Sequence, residues 1–115
     1  MNELQGIVRF RFHEGQVEEF KRLSRQAMEI VRAQDTGTLQ YETYFNADES
    51  EALVLERFRD SDALIEHGEH MAALMEPILA TGTVSGELCG ELSPALRALM
   101  TGDNPQLFTT LFMSL

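Results

Sequence analysis

The sequence predicts an α+β fold, with one antiparallel sheet covered by helices on a single face, and three observations predict it. A strand-then-helix unit occurs twice: residues 6–12 lead into 17–32, and 52–58 lead into 61–79. A further strand, 39–46, lies between the two units. Another strand follows the second helix. The order strand–helix–strand–strand–helix–strand is the split βαβ, or ferredoxin-like, pattern. Such a sheet leaves its other face to water, a ligand or a second subunit.

The first strand alternates Val8, Phe10 and Phe12 with Ile7, Arg9 and Arg11, so its Phe face packs under the helices. The arginines then point to the open side, placed to pair with carboxylates such as Glu42 or Glu56 on neighbouring strands. His13-Glu14-Gly15-Gln16 turns the chain, with Gly15 tolerating a positive φ. In the first helix Val17, Phe20, Leu23, Ala27, Ile30 and Val31 form one apolar stripe. Glu18 stands four residues before Arg22 on the wet side. Gly37 stands where a helix C′ residue is useful.

In the second strand Leu39, Tyr41 and Phe45 share one side, and Gln40, Glu42 and Tyr44 the other. A buried tyrosine needs a partner for its hydroxyl, which allows a pocket edge for Tyr41, with core packing ranked ahead of it. A polar turn at 47–51 joins this strand to the third as a hairpin. Beyond the second helix, Ser93-Pro94 is an N-cap followed by proline at the first helical position, opening a short helix within 93–101. The segment 106–113 carries Leu107, Phe108, Leu111 and Phe112 and is expected as a terminal strand, either buried in its own sheet or, the preferred reading, pairing across a dimer seam.

Length and composition fit a single domain over 1–115, with 43% hydrophobic content. No signal peptide is expected at the start, and no apolar stretch approaches the roughly 20 residues that span a bilayer. The lone Cys89 makes no internal disulfide and is expected to be an inert, half-buried thiol in a reducing, cytoplasmic setting. With 19 Asp and Glu against 9 Lys and Arg, the net charge is −10. Such a chain suits neither nucleic acid nor an anionic membrane surface, and a neutral or phenolic small molecule fits better than a nucleotide.

The second helix holds the only unusual chemistry. His67 and His70 are neighbours on one helical face, flanked by Glu66 and Glu69. Gly68 between them predicts a kink or break. Three readings stay open: two ordinary surface histidines, a general base for a weakly acidic substrate, or a pair of metal ligands. Spacing alone ranks them in that order. The sequence carries no phosphate-cradling glycine motif, nucleophile elbow or triad logic.

The string 56–67, Glu-Arg-Phe-Arg-Asp-Ser-Asp-Ala-Leu-Ile-Glu-His, resembles a hallmark of the antibiotic biosynthesis monooxygenase-like family: a strand ending in Glu-x-aromatic, then Asp, and a His eleven residues after the Glu. Gly15 before a Glu-rich helix and Gly37-x-Leu39-x-Tyr41 are similar too. The resemblance covers about 7–79. It implies a dimeric α/β barrel, made when two such sheets pack face to face, and chemistry that needs no cofactor. In the oxygenase members a base removes a phenolic proton and the electron-rich anion reduces dioxygen in a dry pocket.

On that likeness His67 is the base, Tyr41 an orienter, Phe10 and Phe58 the walls, and His70 a further substrate contact. No metal or cofactor is implied, and the partners are a second copy of the chain and a quinol or polycyclic phenol. Two departures narrow the likeness: the chain has no Trp, and Val8 stands about where haem-degrading relatives carry Asn. A non-catalytic dimeric binding or stress-response module, with its pocket filled by Met71, Leu74 and Met75, is the alternative. A small-molecule isomerase on the same fold is another.

Overall fold

The computed structural model describes residues 3–115. Along the chain run β1 (Leu4–Phe12), α1 (Val17–Gln34), β2 (Thr38–Phe45), β3 (Glu51–Phe58), α2 (Ser61–Leu79), β4 (Gly82–Cys89), α3 (Pro94–Leu99) and β5 (Gln106–Phe108). They form one five-stranded sheet in the order β2-β3-β1-β4-β5. All pairings are antiparallel except β4–β5, which is parallel. The expected α+β, ferredoxin-like pattern is therefore present, extended by α3 and β5.

Side-chain alternation decides which face is covered. On β1 the set Leu4, Val8, Phe10 and Phe12 turns toward the helices, while Arg9 and Arg11 face outward. The arginines find other partners than expected: Arg9 pairs with Glu87 on β4, and Arg11 reaches Glu51. Glu56 is out of their reach because it shares the covered face with Ala52, Val54 and Phe58. On α1, Arg22 pairs with Glu19 one turn back rather than with Glu18.

Two apolar clusters fill the space under the helices. Phe10, Phe20, Ala52 and Val54, with Phe12 and Phe45 beside them, form an aromatic cluster at one end. Phe20 stacks at tilted angles on both Phe10 and Phe12, with centroids 4.8 and 4.7 Å away. At the other end Leu4, Leu88, Leu92 and Leu96 pack together, with Leu64, Ile65 and Leu107 against them. Here α3 begins as predicted, its N-cap Ser93 accepting a hydrogen bond from the Leu96 N–H.

Four expectations are corrected. Leu39 does not join Tyr41 on the inner face; the ladder to β3 shifts register between Thr38 and Gln40, and the extra residue leaves Leu39 outward and exposed. Gly37 does not serve as a left-handed cap. Its backbone packs so close to α2 that a Cβ would lie 2.5 Å from that of Ala63. Cys89 is exposed rather than half-buried.

The fourth concerns the terminal strand. It covers only 106–108 of the expected 106–113 and pairs with β4 of its own chain, where Leu107 joins the leucine cluster. Beyond Phe108 the chain leaves the ladder, with Leu111, Phe112 and Met113 exposed.

Candidate active site

Beside the aromatic cluster a cavity of about 110 Å³ opens under α1 and α2. Its walls include Val8, Phe10, Met71 and Ile78, with Met75 and Leu79 half-exposed at the helix surface. Its polar groups come chiefly from Glu56 and His67, joined by Tyr41, Thr43 and Ser24.

α2 delivers His67. Asp60 caps the helix by accepting from the Ala63 N–H, and the helix then runs continuously through Gly68, so no break occurs there. His67 is thereby carried inward with Ala63 and Met71, on the buried stripe at three- and four-residue steps. It is 6% exposed, which overturns the reading of two surface histidines. The rings of Tyr41 and Phe58 lie 5.4 and 5.1 Å from its centroid.

Both imidazole nitrogens face carboxylates. Nδ1 lies 2.7 Å from Oδ2 of Asp35, and Nε2 lies 3.4 Å from Oε1 of Glu56. The Asp35 side chain is 1% exposed and also receives the Thr38 hydroxyl at 2.7 Å and Nδ1 of His70 at 2.6 Å. Its position follows from the chain before it. α1 ends at Gln34 and Asp35 turns extended, so its side chain swings toward α2. The close approach at Gly37 holds this corner, as do the hydrogen bonds from the Arg59 N–H to the Gly37 carbonyl and from Thr36 to Glu66.

The electrostatics follow from this geometry. Burial alone would lower the pKa of His67, but hydrogen bonds to Glu56 and Asp35, and their charges, raise it above the ordinary imidazole value. Burial likewise opposes ionisation of Asp35, yet the hydrogen bonds from His70, Thr38 and His67 hold its carboxyl below the usual range. Burial, reinforced by the charges of Glu56 and Asp35, pushes the Tyr41 phenol well up, so that hydroxyl stays protonated. The two acidic neighbours thus favour the protonated form of His67, and of the two only Glu56 borders the cavity.

Of the residues named from sequence, His67, Tyr41 and Phe10 border one cavity. Phe58 stands behind His67 rather than forming a cavity wall, and His70 turns to Asp35 on the far side of His67. Sequence reasoning missed Asp35 and Glu56 as site residues. Glu56 was traceable, since it lies two residues before Phe58 and so shares its face. For a metal, Asp35, Glu66 and His70 bring ligand atoms within 4.8 Å of one another. Those side chains are already engaged in the Asp35–His70 and Thr36–Glu66 hydrogen bonds.

A one-sided ferredoxin-like sheet with a buried histidine–carboxylate cluster beside an apolar cavity defines the structural class. Within that class the chain belongs to the antibiotic biosynthesis monooxygenase family, whose model matches residues 6–75. No curated protein matches the chain significantly. Among solved structures it is similar to MupZ from Pseudomonas fluorescens, at 20% identity and a TM-score of 0.84 over 99% of this chain and 94% of that one. Rv0793 from Mycobacterium tuberculosis is 24% identical, with a TM-score of 0.70 over 82% of this chain and 99% of that one. SnoaB, a cofactor-independent oxygenase from Streptomyces nogalater, is 18% identical, with a TM-score of 0.67 over 76% and 91%. The MupZ likeness thus extends through α3 and the C-terminal segment. No helix among the described residues is long and apolar enough to cross a membrane.

Proposed function

We propose that the chain is a cofactor-independent monooxygenase that oxidises a quinol with dioxygen, using His67 and Glu56 as its proton-handling pair. The observation that carries this reading is the buried imidazole held between Asp35 and Glu56 at the polar end of an apolar cavity. The family and the likeness to SnoaB support the reaction class.

The sequence alone suggested His67 as the base; the geometry favours a division of labour. Glu56 takes the phenolic proton, while the imidazolium of His67, steadied by Asp35, holds the charge that develops on the phenolate oxygen. The phenolate gives an electron to dioxygen, and the apolar walls keep the radical pair together until it recombines at a ring carbon. One oxygen atom enters the ring in place of hydrogen, and the other leaves as water with the two remaining protons. The product is a hydroxyquinone, and the quinol supplies all four electrons. The binding-module alternative expects Met71, Leu74 and Met75 to fill the pocket, whereas Met71 and Met75 border an open cavity.

Oxygen uptake by metal-free protein over a panel of hydroquinones tests the reaction, with mass spectrometry of the product. His67→Ala should lower turnover by roughly 10²-fold or more. The pH profile separates the two roles. If Glu56 is the base, the rate falls as pH rises through the raised pKa of His67; if neutral His67 is the base, it rises there. No uptake above the autoxidation blank across the panel would remove the oxygenase reading.

A homodimer belongs to the same proposal. The outer sheet face carries no helix and exposes Leu39, Tyr44 and Leu53 beside its ion pairs, and the C-terminal segment exposes Leu111 and Phe112. Sedimentation at micromolar concentration should find two copies, and a monomer there would exclude this assembly.

A further inference from the structure

We infer that the substrate is an uncharged molecule of a single hydroxylated ring, and that Met75 sets this limit. The inference rests on the proposed reading that Glu56 and His67 receive the hydroxyl, and it narrows the substrate below the polycyclic phenols the sequence suggested. Size is the first ground. An apolar cavity of about 150 Å³ takes one benzene, whereas sites for larger organic ligands run to about 300–1,000 Å³. A cavity of about 110 Å³ that opens to the surface accommodates one ring, with its edge toward the mouth. Two or three fused rings would extend past the mouth or need a wall to move.

Charge is the second ground. No Lys or Arg lines the cavity, and its one carboxylate, Glu56, stands beside His67 at the polar end. Anionic groups such as a carboxylate or phosphate would meet Glu56 without a compensating cation beyond the imidazolium already paired to it. A neutral hydroxyl can instead donate to Glu56.

The third ground is the order of side chains along α2. Met71 is 2% exposed and deep, and Met75, one turn on, is 42% exposed at the surface. Both border the cavity, so the row measures its depth outward from His67. Methionine is unbranched and adapts to its neighbours, so substituents about the size of a methyl can be accommodated. A second ring would need the volume that the Met75 side chain occupies.

Binding without turnover tests this. Under argon, protein with 13C-labelled methionine methyls is titrated with hydroquinone, 1,4-dihydroxynaphthalene, a hydroxylated anthrone and 4-hydroxybenzoate. Hydroquinone should shift the Met71 and Met75 methyls saturably. The two- and three-ring compounds should bind at least roughly tenfold more weakly, and 4-hydroxybenzoate should leave the methyls unmoved. Met75→Ala should restore the two-ring compound, and Met75→Phe should abolish binding of hydroquinone. Tighter binding of the two- or three-ring compounds to the wild-type chain overturns the inference, as does an unchanged size order in both variants. If hydroquinone binds in this pattern but consumes no oxygen in air, the oxygenase reading falls while the size limit stands. If the larger compounds bind best and are oxidised, the reverse holds.

Discussion

The two strand–helix units of this molecule share a plan and differ in what their helices bury. α1 buries Phe20, Leu23 and Ala27, an uninterrupted apolar stripe. α2 buries Ser61, Ala63, His67 and Met71 in the corresponding place against the sheet. The first helix closes the core by close packing and meets the cavity only through Phe20 and Ser24. The second gives up part of that packing to hold a titratable ring and two methionines against a cavity. A repeated unit can thus be structural in one copy and chemical in the other, the difference resting on which side chains occupy the inward stripe.

The largest effect that would break this comparison lies in the first unit. Phe20 is 2% exposed and joins the Phe10, Phe12 and Phe45 rings. Phe20→Ala removes a ring the surroundings cannot refill, and should cost about 3–5 kcal/mol in urea unfolding. A cost near 1 kcal/mol would mean the aromatic end is already loose, and the contrast between packed and chemical helices would fail.

The second unit should respond less, and with pH. A raised pKa on His67 means its ion pairing stabilises the fold fully below the ordinary imidazole value of about 6.5. That contribution is lost as pH rises through the raised folded-state value. The depressed carboxyl of Asp35 works the other way: its contribution is present above the ordinary value of about 3.9 and lost as pH falls through the lower folded-state value. His67→Gln should therefore cost about 1–3 kcal/mol near pH 5.5 and progressively less at alkaline pH. Equal urea midpoint shifts at pH 5.5 and 9 would show that the imidazole is neutral in the folded protein.

These differences were unequally legible in the sequence. Periods of two and 3.6 placed β1, α1 and β2, because each buries one regular face, whereas β4 was expected only as the next strand of the pattern. The ends of α2 match the expected 61–79, with Asp60 capping its start. What stayed hidden depends on distant partners. Asp35 reads as a polar residue after a helix, and its role comes from His67 and His70, 32 and 35 positions away. Leu39 reads as inward by strict alternation, and only the register shift against β3 turns it out. His67 was visible as chemistry but not as buried, since its enclosure comes from Tyr41 and Phe58 on two different strands.

The smallest effect concerns Gly68, which sits between the two histidines and distinguishes α2 from the glycine-free α1. It is exposed and lacks a positive φ, and an added Cβ would meet no other side chain or neighbouring element within 4 Å. Nothing in the fold therefore needs a glycine there. Gly68→Ala should raise stability by about 1 kcal/mol, because alanine loses less backbone entropy on forming helix. It should leave the His67 and His70 resonances in an NMR spectrum almost unmoved. A loss of stability, or a displaced His67 signal, would mean that the helix flexes at this position. The imidazole would then be held by Asp35 and Glu56 rather than presented by a rigid helix, and the second unit would differ from the first in backbone as well as in side chains.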